Sequence, residues 1–193
     1  MQIEYEATYT NIDKDQIRDR LKKAGARLVK PEVLQTRVVF HLPEGHAKEG
    51  GWARVRNEGN KITMSVKQSV DNGKIDEQFE TCLEVSNFSE AVKLLEFLGC
   101  RRKAYQETKR ELWTLDETEV TIDEWPFLEP FVEIEGGSEE IVRKVSEKLN
   151  FDYNKAYFGP VGGIYSQKYK LPSSVFNNQT PRIVFGGKNP FEK

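Results

Sequence analysis

The sequence lacks the features that mark secreted, disulfide-stapled and membrane-spanning proteins. Only two of its 193 residues are cysteines, and Cys82 and Cys100 fit neither a disulfide framework nor a metal-ligand spacing. No apolar run approaches the roughly 20 residues of a transmembrane helix, and the N-terminus has no basic-then-apolar signal pattern. We therefore expect a soluble, cytoplasmic protein with no membrane partner.

An excess of charge of either sign is also lacking. The 29 lysines and arginines are set against 31 acidic residues, which gives a formal net charge of −2. General nucleic-acid-binding proteins usually have a basic excess, so we expect no nucleic-acid partner. Hydrophobic residues make up 37% of the chain and charged residues 31%, enough for one core with many charges to solvate or pair.

Cap and turn signals divide the chain into helices and strands. Residues 13–25, 86–99 and 138–150 have helical apolar stripes with capping residues, and runs of β-forming residues lie between them. The predicted order is β-α-β-β-β-β-α-β-β-β-α, followed by a tail. Because strands follow strands through short turns, we predict an α+β fold with an eight-stranded antiparallel β-barrel, closed or C-shaped, and flanking helices.

Side chains of like charge recur at alternate positions of several predicted strands. The acidic rows are Glu4 and Glu6, Glu80 and Glu84, and Glu133 and Glu135, and the basic row is Arg54 and Arg56. For any single pair, a solvated strand face is the simpler explanation. An ordinary surface mixes the two signs, however, because adjacent like charges repel. The sorting by sign therefore suggests a cavity with an acidic part and a basic part.

A cavity with these two parts suits a triphosphate bound together with a divalent cation. Arginine grips phosphate oxygens bidentately, and Mg²⁺ or Mn²⁺ is a hard cation that prefers carboxylate oxygens. Metal-assisted phosphoryl or nucleotidyl transfer requires both groups in one pocket.

The motifs, taken in order, resemble the CYTH or triphosphate tunnel metalloenzyme family. This family includes class IV adenylyl cyclases, thiamine triphosphatases, inorganic triphosphatases and RNA triphosphatases. The segment "EYEAT" resembles its E-x-E-x-K strand, "RVR" its R-x-R, and "TIDEWPFLEPFVEIEG" its L-D-x-x-x-x-L-G-x-F-V-E-I-E block. "FETCLEV", "RELW" and "KAY" resemble its central acidic strand, R-x-x-Y/W and K-S-Y, so that the likeness spans residues 1–157 in the right order.

The resemblance implies a β-tunnel that encloses the triphosphate. The implied ligands of Mg²⁺ or Mn²⁺ are Glu4, Glu6, Glu80, Glu84, Asp123, Glu133 and Glu135. The implied triphosphate-binding residues are Arg54, Arg56, Lys67, Arg110 and Lys155. Catalytic roles would fall to these five cations together with Glu4 and Glu6.

Several positions depart from the family pattern, among them His41 at a family aspartate position and Thr108 where a second basic residue is common. Thr8 stands where the family has a lysine, and Val39 where it has a tyrosine that is expected to help activate water in the hydrolases. Arg37 occupies a family aspartate position in "QTRVVFH". We expect Arg37 to bind substrate and to restore the positive charge lost at Thr8, if both side chains face inward.

Three functions remain open at this point. The first is class IV adenylyl cyclase-like cyclisation of a nucleotide, and the second is hydrolysis of thiamine triphosphate, inorganic triphosphate or a nucleotide. The third is a catalytically weakened triphosphate-binding module, because the family lysine is absent. We predict a metal-dependent enzyme acting on a small-molecule triphosphate or nucleotide, as a monomer or homodimer.

The sequence is expected to form one domain with an extension. Residues 1–165 are predicted to form the tunnel domain and 166–193 a C-terminal extension. Docking of this extension on the barrel is favoured because Ile183, Val184 and Phe185 would otherwise be exposed.

Overall fold

A computed structural model describes residues 2–46, 50–69, 74–76 and 78–192, except for the side chain of Gln2. The strands are β1 (Gln2–Ile3), β2 (Tyr5–Tyr9), β3 (Arg27–His41), β4 (Gly51–Asn57), β5 (Ile62–Ser69), β6 (Gln78–Val85), β7 (Arg101–Leu115), β8 (Thr118–Glu124), β9 (Phe131–Gly136) and β10 (Arg182–Ile183). The helices are α1 (Lys14–Ala24), α2 (Phe88–Phe97), α3 (Glu139–Lys148) and α4 (Val161–Tyr169). The predicted α+β fold and the order of its elements through α3 are confirmed.

The strands form one curled sheet whose two edges meet at the N-terminal segment. The strand order is β1-β6-β5-β4-β3-β7-β8-β9-β2, with antiparallel pairing along the whole path. β1 pairs with β6 at one edge, and β2 pairs with β9 at the other. Only Glu4 separates these two strands, and its N–H donates to the carbonyl of Gln78 at 2.9 Å. The eight-stranded wall is therefore joined through residues 2–9.

The helices cover the outer face of the wall. α1 and α3 bury Ile17, Leu21, Val142 and Val145 against β2, β7, β8 and β9, while α2 packs on β3 and β4. Because side chains alternate along a strand, the residues between these packed positions point into the barrel. In β2, for example, Ala7 packs in the outer core. Each of these three helices is capped at its N-terminus by a side chain, as α1 is by Asp13.

The segment after residue 160 contains structure that its turn-rich sequence does not indicate. α4 begins at Val161 and includes two glycines, and a π-helical turn follows at Val175–Gln179. β10 runs parallel to β7, pairing with Tyr105 and Gln106. β8 pairs with β7 only from Lys109 onward, so β10 lies beside the half of β7 that β8 leaves unpaired.

A third apolar cluster joins this segment to the barrel. Trp125, Leu128 and Phe131, from the end of β8 to the start of β9, pack against Ile164, Tyr165, Phe176, Ile183 and Phe191. The predicted boundary between residues 165 and 166 falls inside α4, and Lys193 lies outside the described residues. None of the helices in the described part of the chain is long and apolar enough to cross a bilayer.

Packing of β10 predicts a large effect of a single truncation. Ile183 is fully buried in the third cluster, so Ile183→Ala should lower the free energy of unfolding by about 2–5 kcal/mol. Leu83→Ala removes an aliphatic side chain that is 57% exposed on β6 and should change stability by less than about 0.5 kcal/mol. Urea denaturation of both variants measures the difference. Equal midpoints would show that β10 contributes nothing to the fold.

Candidate active site

The curled sheet encloses a cavity of about 750 Å³. Its volume falls in the range of about 300–1,000 Å³ that is typical of small-molecule sites. The wall carries six arginine or lysine side chains and six glutamates among the described residues. The cations are Arg37, Arg54, Arg56, Lys67, Lys103 and Arg110, and the acids are Glu4, Glu6, Glu80, Glu119, Glu133 and Glu135.

The two signs occupy opposite halves of the wall. All six cations come from β5, β4, β3 and β7, which are consecutive in the sheet. All six acids come from β8, β9, the N-terminal segment and β6, which complete the circuit. We call these the basic half and the acidic half. Two seams, between β5 and β6 and between β7 and β8, bring the opposite charges together.

The first seam is an ion-pair cluster around Lys67. Its ammonium nitrogen lies 2.7 Å from Oε2 of Glu4 and 3.0 Å from Oε2 of Glu80. Nη2 of Arg54 donates to Oε1 of Glu80 at 3.1 Å. Burial, followed by the hydrogen bond to Glu80, raises the pKa of Glu4 to about 7 despite the nearby Lys67. Burial acts in the same direction on Glu80, but Arg54 and its hydrogen bonds hold the pKa of Glu80 below the ordinary value.

The second seam is built on Arg110. Its Nε donates to Oδ1 of Asp123 at 2.7 Å, and its Nη2 donates to Glu133. Asp123 is fully buried, and its other oxygen accepts a bond from the hydroxyl of Thr121 at 2.6 Å. Asp123 thus has both oxygens satisfied by protein groups, so it is placed to orient Arg110 and is poorly placed to bind a metal.

Arg56 has a carboxylate partner outside the predicted rows. Its Nε and Nη2 donate to Oε1 of Glu58 at 3.0 and 2.7 Å, and the hydroxyl of Thr63 donates to the same oxygen. Burial, with Arg54 and Arg110 nearby, lowers the pKa of Arg56 to about 10. Sequence reasoning missed Glu58, because it lies in the β4–β5 turn, where strand alternation no longer applies.

Arg37 is the most deeply buried cation of the basic half among the described residues. Its guanidinium lies 4.7 Å above the ring of Trp125, and its Nη2 donates to the hydroxyl of Thr108 at 2.5 Å. Its Nε is buried without a hydrogen-bond partner, and the residue is only 4% exposed. Burial and the three guanidinium groups of Arg56, Arg54 and Arg110 lower the pKa of Arg37 well below its usual range. An anion in this cluster would correct the imbalance.

The acidic half shows the opposite imbalance. Burial and the neighbouring Glu133 carboxylate raise the pKa of Glu6 well above its usual value. Burial also raises the pKa of Glu133, although Arg110 opposes it, and burial together with Glu135 raises that of Glu119. Crowded carboxylates of this kind are the oxygen donors that a hard divalent cation prefers. Their chemistry fits such an ion, although no three acidic, His or Cys side chains of the described residues converge in a metal-binding cluster.

Three predicted site residues do not line the cavity with the others. Glu84 follows Glu80 and Cys82 on the same strand face but is exposed at the end of β6. Lys155 lies in the 3₁₀ turn Tyr153–Lys155, where its side chain is 81% exposed and 3.7 Å from Asp152. Asp123 is buried behind Arg110, as described above. The side chain of Lys155 points to solvent because the turn that carries it runs outside the barrel wall.

Val39, Thr8 and Arg37, which depart from the motif pattern, lie in different surroundings. Val39 lines the cavity beside Arg54, its partner in the β3–β4 ladder. Thr8 is 2% exposed and is paired through its backbone with Glu133 and Tyr157. Arg37 faces inward, as expected from its position.

Two charged residues of the described cavity lining, Glu119 and Lys103, were not among the predicted site residues, for different reasons. Glu119 shares the face of Thr121 and Asp123 in β8, so the alternation itself could have revealed it. Lys103 lies at a register shift, because Val39 pairs with Ala104 and Phe40 with Arg102. This bulge turns Lys103 into the cavity against the alternation of β7. A bulge leaves no signal in the residue pattern.

Comparisons with known proteins place the chain in a family. The CYTH domain matches residues 2–160. A search of curated protein sequences finds no matching relative. Among solved structures, a conserved hypothetical protein from Pyrococcus furiosus shares 22% identity and a TM-score of 0.65, over 79% of this chain and 94% of that chain.

Two further structures have the same architecture. A proposed adenylate cyclase from Vibrio parahaemolyticus has a TM-score of 0.71 at 15% identity, covering 86% of this chain and 98% of that chain. A proposed adenylyl cyclase from Hippeastrum, described as having a dominant triphosphatase activity, has a TM-score of 0.57 at 14% identity, covering 89% and 98%. At these identities the likeness concerns the fold. The match over residues 2–160 and the divided wall of the barrel together show that the chain belongs to the CYTH family.

Proposed function

We propose that the cavity binds a triphosphate together with a divalent metal ion and processes it. The observation that carries the proposal is the buried, incompletely bonded guanidinium of Arg37, in a cluster with Arg54, Arg56 and Arg110. Four guanidinium groups on adjoining strands present donors to phosphate oxygens, which arginine binds bidentately. A chain of linked phosphates supplies several anionic groups at once.

The balance of charge in the cavity favours a metal complex over the bare anion. Six cations face six acids among the described lining residues, so the wall is nearly neutral as a whole. A triphosphate alone would be attracted by the basic half and repelled by the acidic half. A divalent cation bound with it would be attracted by the acidic half and so offset that repulsion. Ligand entry then becomes an exchange, in which phosphate replaces the glutamates on Arg54 and Lys67, and the metal replaces the lysine on Glu4.

The residues best suited to the metal are Glu6, Glu133 and Glu135, with Glu4 beside them. They share one part of the acidic half, and Thr8 and Glu6 face Glu133 and Glu135 across the β2–β9 ladder. Mg²⁺ or Mn²⁺ bound there would supply Lewis acidity and lower the pKa of a bound water or hydroxyl. The arginines would orient the phosphates and stabilise the charge that develops on them during transfer.

The reaction class that we favour is class IV adenylyl cyclase-like cyclisation of a nucleotide. Val39 and Thr8 stand in place of the tyrosine and lysine that are expected to activate water in the hydrolases. Cyclisation needs no water, because its nucleophile is a hydroxyl of the nucleotide's own sugar, which only has to be positioned correctly. Triphosphate hydrolysis is the second candidate, supported by the activity described for the Hippeastrum protein. Binding without turnover is the third.

A substrate panel separates turnover from its absence, and cyclisation from hydrolysis. The protein is incubated with ATP, GTP, thiamine triphosphate or tripolyphosphate and with Mg²⁺, Mn²⁺ or EDTA. Pyrophosphate together with a cyclic nucleotide identifies cyclisation, and orthophosphate identifies hydrolysis. We expect products only with metal. Undiminished turnover in EDTA would contradict the role given to the acidic half.

Glu6→Gln should change stability and activity in opposite directions, raising the first and lowering the second. Because the pKa of Glu6 is raised, its ionisation destabilises the ligand-free fold as pH rises from its ordinary pKa of about 4.3 through the raised value. The variant should therefore have a higher melting temperature than wild type at neutral pH. This gain should vanish at acid pH, where Glu6 of the wild-type protein is protonated in both the folded and the unfolded state. Metal-dependent turnover should fall at least about tenfold, because the donor set loses a carboxylate.

Glu84→Gln is the matched control for this experiment. Glu84 is an exposed glutamate on β6, and its neutralisation should alter neither the melting temperature nor turnover. Thermal melts across pH and initial rates at saturating metal provide both measurements. A Glu6→Gln variant with wild-type turnover would remove Glu6 from the metal site.

Arg37→Met tests the observation that carries the proposal. Methionine keeps apolar contact with Trp125 but removes a cation whose charge is unfavourable in the ligand-free cavity. Affinity for tripolyphosphate with Mg²⁺ should fall roughly tenfold to a hundredfold, since a charge-assisted hydrogen bond is worth about 1.5–3 kcal/mol. The melting temperature without ligand should not fall.

The control for Arg37 is Arg102→Met. Arg102 is exposed on β7 and pairs with Glu96 on the outer surface. Calorimetric titration should give this variant the wild-type affinity. If Arg37→Met also binds tripolyphosphate like wild type, the phosphate site lies elsewhere.

A further inference from the structure

Part of the cavity lining differs in chemistry from the two charged halves. Val39 and Trp52 contribute to it from β3 and β4, and Phe176, Asn177 and Asn178 contribute from the π-helical turn. We call these five residues the neutral subsite. The bulge next to the Val39–Ala104 pair carries Lys103, whose hydrogen bond to Asn177 connects the turn to this part of the sheet. Val39 is the ladder partner of Arg54, so the subsite lies directly beside the arginine cluster. Apolar and aromatic walls with a few amide groups suit an uncharged organic group.

The C-terminal part of the subsite lies beyond the residues that the CYTH domain matches. That match ends at residue 160, whereas the π-helical turn begins at Val175. Phe176 is buried and stacks on Tyr165 with ring centroids 4.7 Å apart. A Cβ added at Gly162 would lie 3.0 Å from the ring of Phe176, so the glycine allows α4 to approach it closely. The turn is therefore fixed against the barrel, as a binding wall needs to be.

Lys103 links this turn to the barrel and sets the local charge. The bulge in β7 directs it inward, and its Nζ donates to Oδ1 of Asn177 at 3.1 Å. No carboxylate of the described residues lies within ion-pair distance of it, and burial lowers the pKa of Lys103. With its carbonyl engaged, the Asn177 amide still has two N–H donors. The local environment thus combines a cation, an amide and aromatic rings, and it disfavours a cationic ligand.

We propose that the neutral subsite binds the base of a nucleoside triphosphate, and that the C-terminal extension selects the organic part of the substrate. This inference rests on the proposed function, because it assumes that the arginine cluster binds the phosphates. The Asn177 amide donates to acceptors on the base edge, and Trp52 and Phe176 contact its ring. The positive charge of Lys103 disfavours thiamine triphosphate, whose thiazolium is cationic. Inorganic tripolyphosphate leaves the subsite unfilled.

The test compares ligands that share the phosphates and differ in the organic part. Calorimetry with the full chain and Mg²⁺ gives dissociation constants for tripolyphosphate, thiamine triphosphate, ATP and GTP. Where turnover interferes, α,β-methylene analogues of the nucleotides block cyclisation and β,γ-methylene analogues block hydrolysis of the terminal phosphate. We expect at least one nucleotide to bind at least tenfold more tightly than tripolyphosphate and thiamine triphosphate. Asn177→Leu should reduce that preference about tenfold and change the affinity for tripolyphosphate less than twofold.

A second variant covers the case in which Asn177→Leu does not fold. Asn178 is exposed and lines the cavity, so Asn178→Trp should narrow the subsite and give the same selective loss. Arg37→Met should weaken nucleotides and tripolyphosphate alike, which distinguishes the phosphate site from the subsite. Tight tripolyphosphate binding with no preference for a nucleotide would overturn the subsite alone. Failure of all four ligands to bind would overturn the proposed function and the subsite with it.

Discussion

The separation of charge around one closed wall is the constraint on which the rest of the structure depends. Like charges buried on neighbouring strands repel, and burial strengthens that repulsion because the local dielectric constant is low. The wall tolerates this arrangement because the seams at Lys67 and Arg110 join the halves through ion pairs. The Lys67 seam depends in part on closure, since its partner Glu4 lies in the segment that connects β6 to β9, whereas the Arg110 seam joins strands that are adjacent in the sheet. Without that segment the acidic half would be two separate edges.

Packing of the apolar outer layers offsets the destabilising electrostatics of the empty cavity. Glu6 and Arg37 have pKa values displaced away from their charged forms, so the empty cavity lowers the stability of the ligand-free fold at neutral pH. The apolar clusters under α1, α2 and α3 and the cluster around Phe176 offset that cost. A site held out of electrostatic balance by rigid surroundings gains most when a ligand of the right charge enters. This is the property that preorganised transition-state stabilisation requires.

The sequence predicts the part of the site that obeys strand alternation. Glu6, Arg54, Arg56 and Glu133 could be placed on inner faces because the side-chain period of a strand is two. Lys103 could not, since a bulge changes that period. Glu58 and Asn177 could not either. Glu58 lies in the β4–β5 turn and Asn177 in a π-helical turn, and in both places tertiary contacts, not strand alternation, decide where a side chain points. Alternation also fails to show how far along a strand the cavity extends, so it places Glu84 in one row with Glu80 although Glu84 is exposed at the end of β6. The C-terminal helix was missed because α4 begins with "VGG", a poor helix signal that packing against Phe176 overrides.

Two of the departures from the family pattern, at Thr8 and Arg37, act together on the charge of the cavity. The pattern has a lysine at the position of Thr8, in the acidic half, and an aspartate at the position of Arg37, in the basic half. This chain has replaced both, so among its described cavity-lining residues neither half contains a charged group of the wrong sign. Relative to that pattern, a cation is absent beside Glu6 and present beside Arg56. On the proposed function, such an arrangement would strengthen the attraction of the basic half for phosphate and of the acidic half for a divalent cation, because the lining of each half keeps charges of one sign. On that proposal, the absence of the lysine is a redistribution of charge and not the decay of a site.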